Sequence, residues 1–307
     1  MPARQSTTAT MARVRDRTTK AERLKRQGGR LFWRCLLYLV LAVGSVIVML
    51  PLVWLVGGSL KPASQVFTIP PTFIPRPVMW HNYLQALSKF PFWVSLKNTM
   101  TIVVGVLVGR VLTTTLVAYG FARLSFPGRD ALFVLVLSTM MIPYHVVLIP
   151  QYLVFRELGW LNTLLPLIVP NWFGGGAFYI FMMRQFFKTL NKEIEEASRI
   201  DGCGFFGTFW RVVLPQSLPA LGTLAIFTFM EQWNDFFAPL IYLNTRDKMT
   251  LAVAIRQWEF GTKATYSQAT WPELMVMSTI LMIPPLLVFF FLQRRFIQGV
   301  VITGLKG

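Results

Sequence analysis

Residues 196–219 read EASRIDGCGFFGTFWRVVLPQSLP, a polar interruption between apolar runs. Just upstream, Asn191 is a good N-cap, and Glu193, Glu195 and Glu196 follow it, where negative charge suits the free N–H groups of a helix start. Gly202 and Gly204 are natural stops, because glycine accepts the left-handed conformation that ends a helix. Leu190, Ile194 and Ala197 recur at helical spacing and give this helix one apolar side. A second segment then leads into an apolar run that starts near Val212. The stretch therefore spells a short helix, a glycine turn and an entry into a membrane span. A rigid, partly apolar knob of this kind, protruding from a membrane, suits the docking of a partner.

Working outward, the chain has 307 residues, of which 54% are hydrophobic and only 14% charged. With a mean hydropathy of +0.52 it carries too few charges for a soluble domain. Six apolar runs approach or exceed the roughly 20 residues that a bilayer core demands. They run from about Leu31 to Gly57, Leu96 to Phe121, Ala131 to Val154, Leu164 to Met183, Val212 to Leu243 and Leu274 to Leu292. The expected fold class is an all-α membrane protein: six transmembrane helices over residues 31–307, a short cytoplasmic helix that starts after Asn191 and stops at Gly202 and Gly204, and a basic cytoplasmic tail over residues 1–30 without fixed structure. Pro143, Pro150, Pro166, Pro170, Pro239, Pro284 and Pro285 are expected to kink or interrupt these helices. The run Gly174-Gly175-Gly176 permits close helix approach or a flexible break.

The net charge of +17 is read by loop, as topology, and not as a nucleic-acid surface. The basic tail, which includes Arg13, Arg15, Arg17, Lys20, Arg23 and Lys25, suits anionic membrane lipid and holds the N-terminus inside. Counting lysine and arginine along the loops favours cytoplasmic N- and C-termini, which places the 196–219 segment in the cytoplasm. Cys35 and Cys203 make no disulfide framework, and His81 and His145 have no companions for a metal site, so none is expected.

The spacing of the 196–219 segment resembles the cytoplasmic signature of permease subunits of bacterial ABC importers: Glu-Ala-Ala, three residues, Gly, nine residues, then Ile-x-Leu-Pro. Here Glu196, Ala197, Ser198, Gly202, Val212, Leu214 and Pro215 occupy it, with Ser198 and Val212 as departures. Further stretches resemble the sugar-importing permeases, and in particular the smaller maltose-type subunit. They are Ser59-Leu60-Lys61, Asn82-Tyr83, IPYHVVLIPQYLVFRELGWLNT at 142–163, Trp233-Asn234-Asp235-Phe236, and QRRFIQGVVITGLKG at 293–307. The resemblance implies a bacterial inner-membrane importer: this chain, a second homologous permease, two ATPase subunits of one kind, and an extracytoplasmic sugar-binding protein. In that family the signature is a coupling helix seated in a cleft of the ATPase.

No Gly-x-x-x-x-Gly-Lys-[Ser/Thr] phosphate loop occurs, so the chain is expected to be a transport subunit, not an enzyme, with no catalytic residue and no cofactor of its own; ATP and magnesium belong to the partner ATPase. Glu196, Ala197, Ser198, Asp201, Gly202, Leu214 and Pro215 are the expected ATPase-coupling residues. Glu196 would pair with a basic group on the ATPase, Asp201 and Gly202 would shape the turn, and Leu214 and Pro215 would relay movement into the fifth span. Glu231, Trp233, Asn234, Asp235 and Phe236 are the candidate solute path, since amides and carboxylates beside aromatic faces suit sugar hydroxyls and C–H faces. Arg110 is costly in mid-span and is expected to pair with Glu231 or Asp235 or to face a cavity. A non-sugar solute such as a polyamine is the alternative within the class. A proton-coupled secondary transporter is the alternative outside it, disfavoured because four of the six spans have no interior carboxylate.

Overall fold

The structure, a computed structural model, describes the backbone of residues 4–260 and 270–304 and the side chains of residues 32–258 and 270–292. The described residues form helices and no strand. In chain order they are α1 (Arg4–Ser59), α2 (His81–Lys89), α3 (Phe92–Arg123), α4 (Arg129–Ser138), α5 (Tyr144–Glu157), α6 (Leu165–Ile168) and α7 (Ala177–Thr189). There follow α8 (Lys192–Ile200), α9 (Phe205–Thr208), α10 (Leu214–Gln216), α11 (Leu218–Asn234), α12 (Phe237–Tyr242), α13 (Leu251–Phe260) and α14 (Trp271–Gly304). A π-helical turn, Phe209–Val213, joins α9 to α10.

Among the described residues four helices are long and apolar enough to cross a membrane, or six if two bent pairs each count as one span. Two of the spans are bent, the third of them at one of the prolines expected to interrupt it. The third span breaks by 97° between Arg129–Met141 and Tyr144–Glu157. The cause is Pro143, which has no N–H to give and pushes Ile142 into extended backbone at φ −82°, ψ 115°. The fifth span begins at Leu218, not near Val212, because the chain turns by 77° between Phe205–Gln216 and α11. Pro150 and the pair Pro284-Pro285 lie inside continuous helices. The basic N-terminal segment is helical from Arg4 onward, in place of the unstructured tail expected; no proline or glycine interrupts residues 4–27. Its side chains, and those of the 293–307 stretch, lie outside the described residues.

α3 is the central strut. Its buried residues recur every three or four positions from Ser95 through Thr99, Ile102, Val106, Arg110 and Thr114 to Ala118, and they pack against α7, α11 and α13. Three apolar clusters are strung along it: Trp233, Trp258 and Met277 at one end, Val106, Phe155 and Tyr242 in the middle, and Tyr119, Met183, Phe187 and Phe209 at the other. Gly175, at φ +70°, packs directly on this strut; a Cβ there would lie 2.3 Å from Thr114 Oγ1 and 2.5 Å from Arg110 Cγ.

The short motifs in the first loop bind one another. Asn82 Nδ2 donates to the carbonyls of Ser59 and Lys61, each at 2.9 Å, and Ser59 Oγ lies 3.0 Å from the Tyr83 hydroxyl. Lys61 is fully buried, its ammonium donating to the Thr72 carbonyl and lying 4.2 Å from the Trp54 ring centre. Burial holds that ammonium below its usual pKa.

Candidate functional site

The α8 segment forms as its caps dictate. Asn191 Oδ1 accepts from the Glu193 N–H at 3.0 Å. At the far end Gly202 takes φ +85°, and the N–H groups of Gly202 and Cys203 close on the carbonyls of Arg199 and Ser198, each at 3.0 Å. Gly204 is not part of the stop, since its φ is −67°.

The face that α8 turns inward is polar. Glu195 is buried, accepting from Arg123 Nε at 2.7 Å and from the Tyr119 hydroxyl at 3.2 Å. Arg123 also donates to the Leu190 carbonyl at 2.8 Å. Ser198 is buried, with its Oγ 3.0 Å from Thr208 Oγ1. Ile194, Ala197 and Ile200 point outward, with Ile200 87% exposed, beside exposed Glu196. The apolar side predicted for this helix thus faces away from the body, except Leu190, which packs inward. Ser198, Asp201 and Gly202 serve the helix and its end. Leu214 is half-buried against the Tyr119 cluster, and exposed Pro215 lies within α10, just after the π-helical turn. A small basic hollow of about 280 Å³ beside α8 is lined by Arg123, Arg129, Lys192, Arg199, Glu195 and Glu196.

Farther along α3 lies another ion pair, between buried Arg110 and Glu231, whose side chain is 48% exposed. Arg110 Nη1 donates to Glu231 Oε2 at 2.7 Å and Arg110 Nη2 to Glu231 Oε1 at 3.1 Å and to Asn171 Oδ1 at 2.6 Å. The Tyr179 hydroxyl completes the group at 2.5 Å from Glu231 Oε2, and the guanidinium carbon lies 4.4 Å from the Tyr179 ring centre. Of the alternatives open for Arg110, the pairing with Glu231 is the one realised.

Glu231 borders a cavity of about 680 Å³ built by α5, α6, α11 and α12, with Asp235, Gln232, His145, Tyr144 and Phe237 among its lining. The five candidate path residues part here. Glu231 and Asp235 line the cavity; Trp233, Asn234 and Phe236 do not. Trp233 falls about 200° around the helix from Glu231, which turns it into the core. There it stacks on Phe229 at 5.7 Å and donates to the Leu281 carbonyl at 3.0 Å. Asn234 bonds back to the Met230 carbonyl at 2.7 Å, and Phe236 packs with the Trp258 cluster.

Sequence reasoning missed Glu195, Arg123 and Tyr119 behind α8, and Tyr144, His145, Asn171 and Phe237 around the cavity. For Glu195 a signal existed: with Asn191 N-capping the helix, Glu195 and Ser198 fall on one face and Glu196 on another. Among the described residues no group of acidic, histidine or cysteine side chains is arranged to hold a metal ion.

Residues 105–302 match the family model described as binding-protein-dependent transport system inner membrane component. The chain is 32% identical over 271 residues, 86% of it and 94% of the relative, to the sn-glycerol-3-phosphate transport system permease protein UgpE of Yersinia pestis. It is 30% identical over 266 residues to the arabinooligosaccharides transport system permease protein AraQ of Halalkalibacterium halodurans, again covering 86% of this chain and 93% of the relative. Its fold is that of a chain of a bacterial ABC transporter involved in the import of the acidic polysaccharide alginate, with a TM-score of 0.76 at 23% identity, covering 86% of this chain and 96% of the other.

Proposed function

The chain belongs to the family of binding-protein-dependent transport system inner membrane components, and from that premise we propose that it is the sugar-importing permease subunit of an ATP-driven importer. It crosses the inner membrane several times, with both termini in the cytoplasm. Its partners are a pair of ATPase subunits that bind ATP and magnesium, a second homologous permease and an extracytoplasmic sugar-binding protein. The absence of a phosphate-loop motif supports leaving the ATP site to the partner.

The observation that carries the reading is α8: capped at Asn191, stopped at Gly202, buried on one side through Glu195 and Ser198, and offering Ile194, Glu196, Ala197 and Ile200 outward. A short helix held from behind and exposed in front transmits force from a docked partner. Glu196 pairs with a basic ATPase group, Asp201 and Gly202 hold the end of the helix in shape, and Leu214 and Pro215 pass the displacement into α11. Closure of the ATPases then rocks the spans and alternates access to the path. The relatives named for arabinooligosaccharides and for alginate support a saccharide as the solute. A cationic solute such as a polyamine is the second reading, favoured by the cavity carboxylates Glu231 and Asp235.

Affinity purification of the chain from its native membrane tests this. Recovery of an ATPase, a second permease and a solute-binding protein whose ligand is a saccharide is the expected result. A detergent-stable preparation without an ATPase overturns it.

A further inference from the structure

The cavity wall has a definite charge. Its lining holds two carboxylates, Glu231 and Asp235, and one imidazole, His145, whose ring lies against Phe237 at 5.2 Å. The Arg110 guanidinium behind Glu231 is 4% exposed and donates through its two Nη atoms to Glu231 and Asn171. Asp235 accepts a backbone N–H from Ala238 at 3.3 Å, and among the described residues no cation forms an ion pair with it. A half-buried carboxylate on a cavity wall without a counter-charge favours a donor that arrives with the solute. A sugar hydroxyl is such a donor, and the rings of Tyr144, His145 and Phe237 offer faces for sugar C–H groups.

A phosphate or uronate meets the opposite. A like charge roughly 7 Å from Asp235, at an effective dielectric of about 20, loses more than about tenfold in affinity. Among the described residues that line it, the wall has no arginine or lysine to compensate. We propose that this chain's wall of the solute path excludes anions, so that the importer carries an uncharged saccharide and rejects phosphorylated or uronate-bearing ones. The inference rests on reading the cavity as part of the path. It sets this chain apart from relatives named for sn-glycerol-3-phosphate and for an acidic polysaccharide.

The test uses the whole importer in membranes, with Cys35 and Cys203 replaced by serine and one cysteine introduced at cavity residue Ala238. Labelling by a cationic and an anionic methanethiosulfonate of matched size is compared, each rate being divided by its rate with a free thiol. The cation is expected to react about tenfold faster, Asp235→Asn to collapse the ratio, and a cysteine at exposed Ile69 to give a ratio near one. Equal rates at Ala238, or a faster anion, overturn the charge inference. Failure of both reagents to react shows that the cavity is closed to solutes and overturns the inference with the reading beneath it. Labelling that leaves uptake intact, with the ratio preserved, overturns the path reading alone. In the uptake arm, Asp235→Asn is expected to raise transport of a uronate-bearing saccharide relative to its neutral analogue. An unchanged ratio between the two counts against the proposal.

Discussion

Arg123 at the end of α3 donates to Glu195 on α8 at 2.7 Å, with both side chains less than one-tenth exposed. This pair holds the candidate coupling helix against the strut on which Arg110 also sits. Removing one partner leaves a buried charge alone, a cost of about 3–5 kcal/mol. Glu195→Ala and Arg123→Ala are each expected to lower the thermal stability of the purified complex and to abolish uptake. The apolar pair Arg123→Met with Glu195→Leu restores much of the stability without restoring uptake. Thermal unfolding and solute uptake, measured on the same preparations, decide this.

Glu196 differs from its neighbour because it is exposed. Glu196→Gln is expected to leave the chain's stability unchanged, within about 0.5 kcal/mol, while reducing the amount of ATPase that co-purifies. Unchanged ATPase recovery would place the contact elsewhere on α8.

Gly202 has open space where a Cβ would stand, so its requirement is conformational: φ is +85°. An L-residue there costs about 1–2 kcal/mol, less for asparagine and more for a β-branched residue. Uptake should fall in the order Gly202, Asn, Ala, Val at constant membrane level, read by transport assay against an immunoblot.

Gly175 has the opposite problem, since a Cβ would strike Thr114 and Arg110 at 2.3 and 2.5 Å. Gly175→Ala combines that clash with a disfavoured φ, and a loss of more than about 2 kcal/mol is expected. Because Arg110 must move, its pair with Glu231 opens, and the thermal stability of the complex should fall by more than for Ala substitution of any exposed α8 residue.

Trp233→Phe separates core from path. The hydrogen bond from Trp233 Nε1 to the Leu281 carbonyl disappears, at a cost of about 1 kcal/mol. Stability drops slightly, while the solute concentration for half-maximal uptake stays the same; a shift in that concentration would return Trp233 to the path.

Much of this was legible in the chain because the signals are local. Asn191, the following glutamates and Gly202 set the start and stop of α8 by short-range hydrogen bonds and backbone freedom, and both ends fall where expected. Pro143 announced an interruption, but its 97° size depends on what the two halves pack against. Arg123 and Glu195 are 72 positions apart, and neither residue carries a local sign of the other. Trp233 was assigned to the path because composition does not record which way a ring faces. In a span where lipid and protein interior are both apolar, the hydrophobic pattern that orients a soluble helix is absent. Glu231 was singled out because a carboxylate in a span is costly, and it lines the cavity.

α1 has one further property. Residues 32–50 are all exposed, and among the described side chains the helix packs on the first loop near its C-terminal end, where Trp54 lies 5.6 Å from Phe73. From Phe32 to Ser59 it is 28 residues long, about 42 Å, with Pro51 near its packed end as the place where it can bend. It is a pointer with a long exposed arm: a tilt of about 10° at Ser59 sweeps Phe32 through about 7 Å. Rearrangements too small to see in the first loop are therefore amplified at Phe32, where a distance probe would record them as displacements of several ångströms.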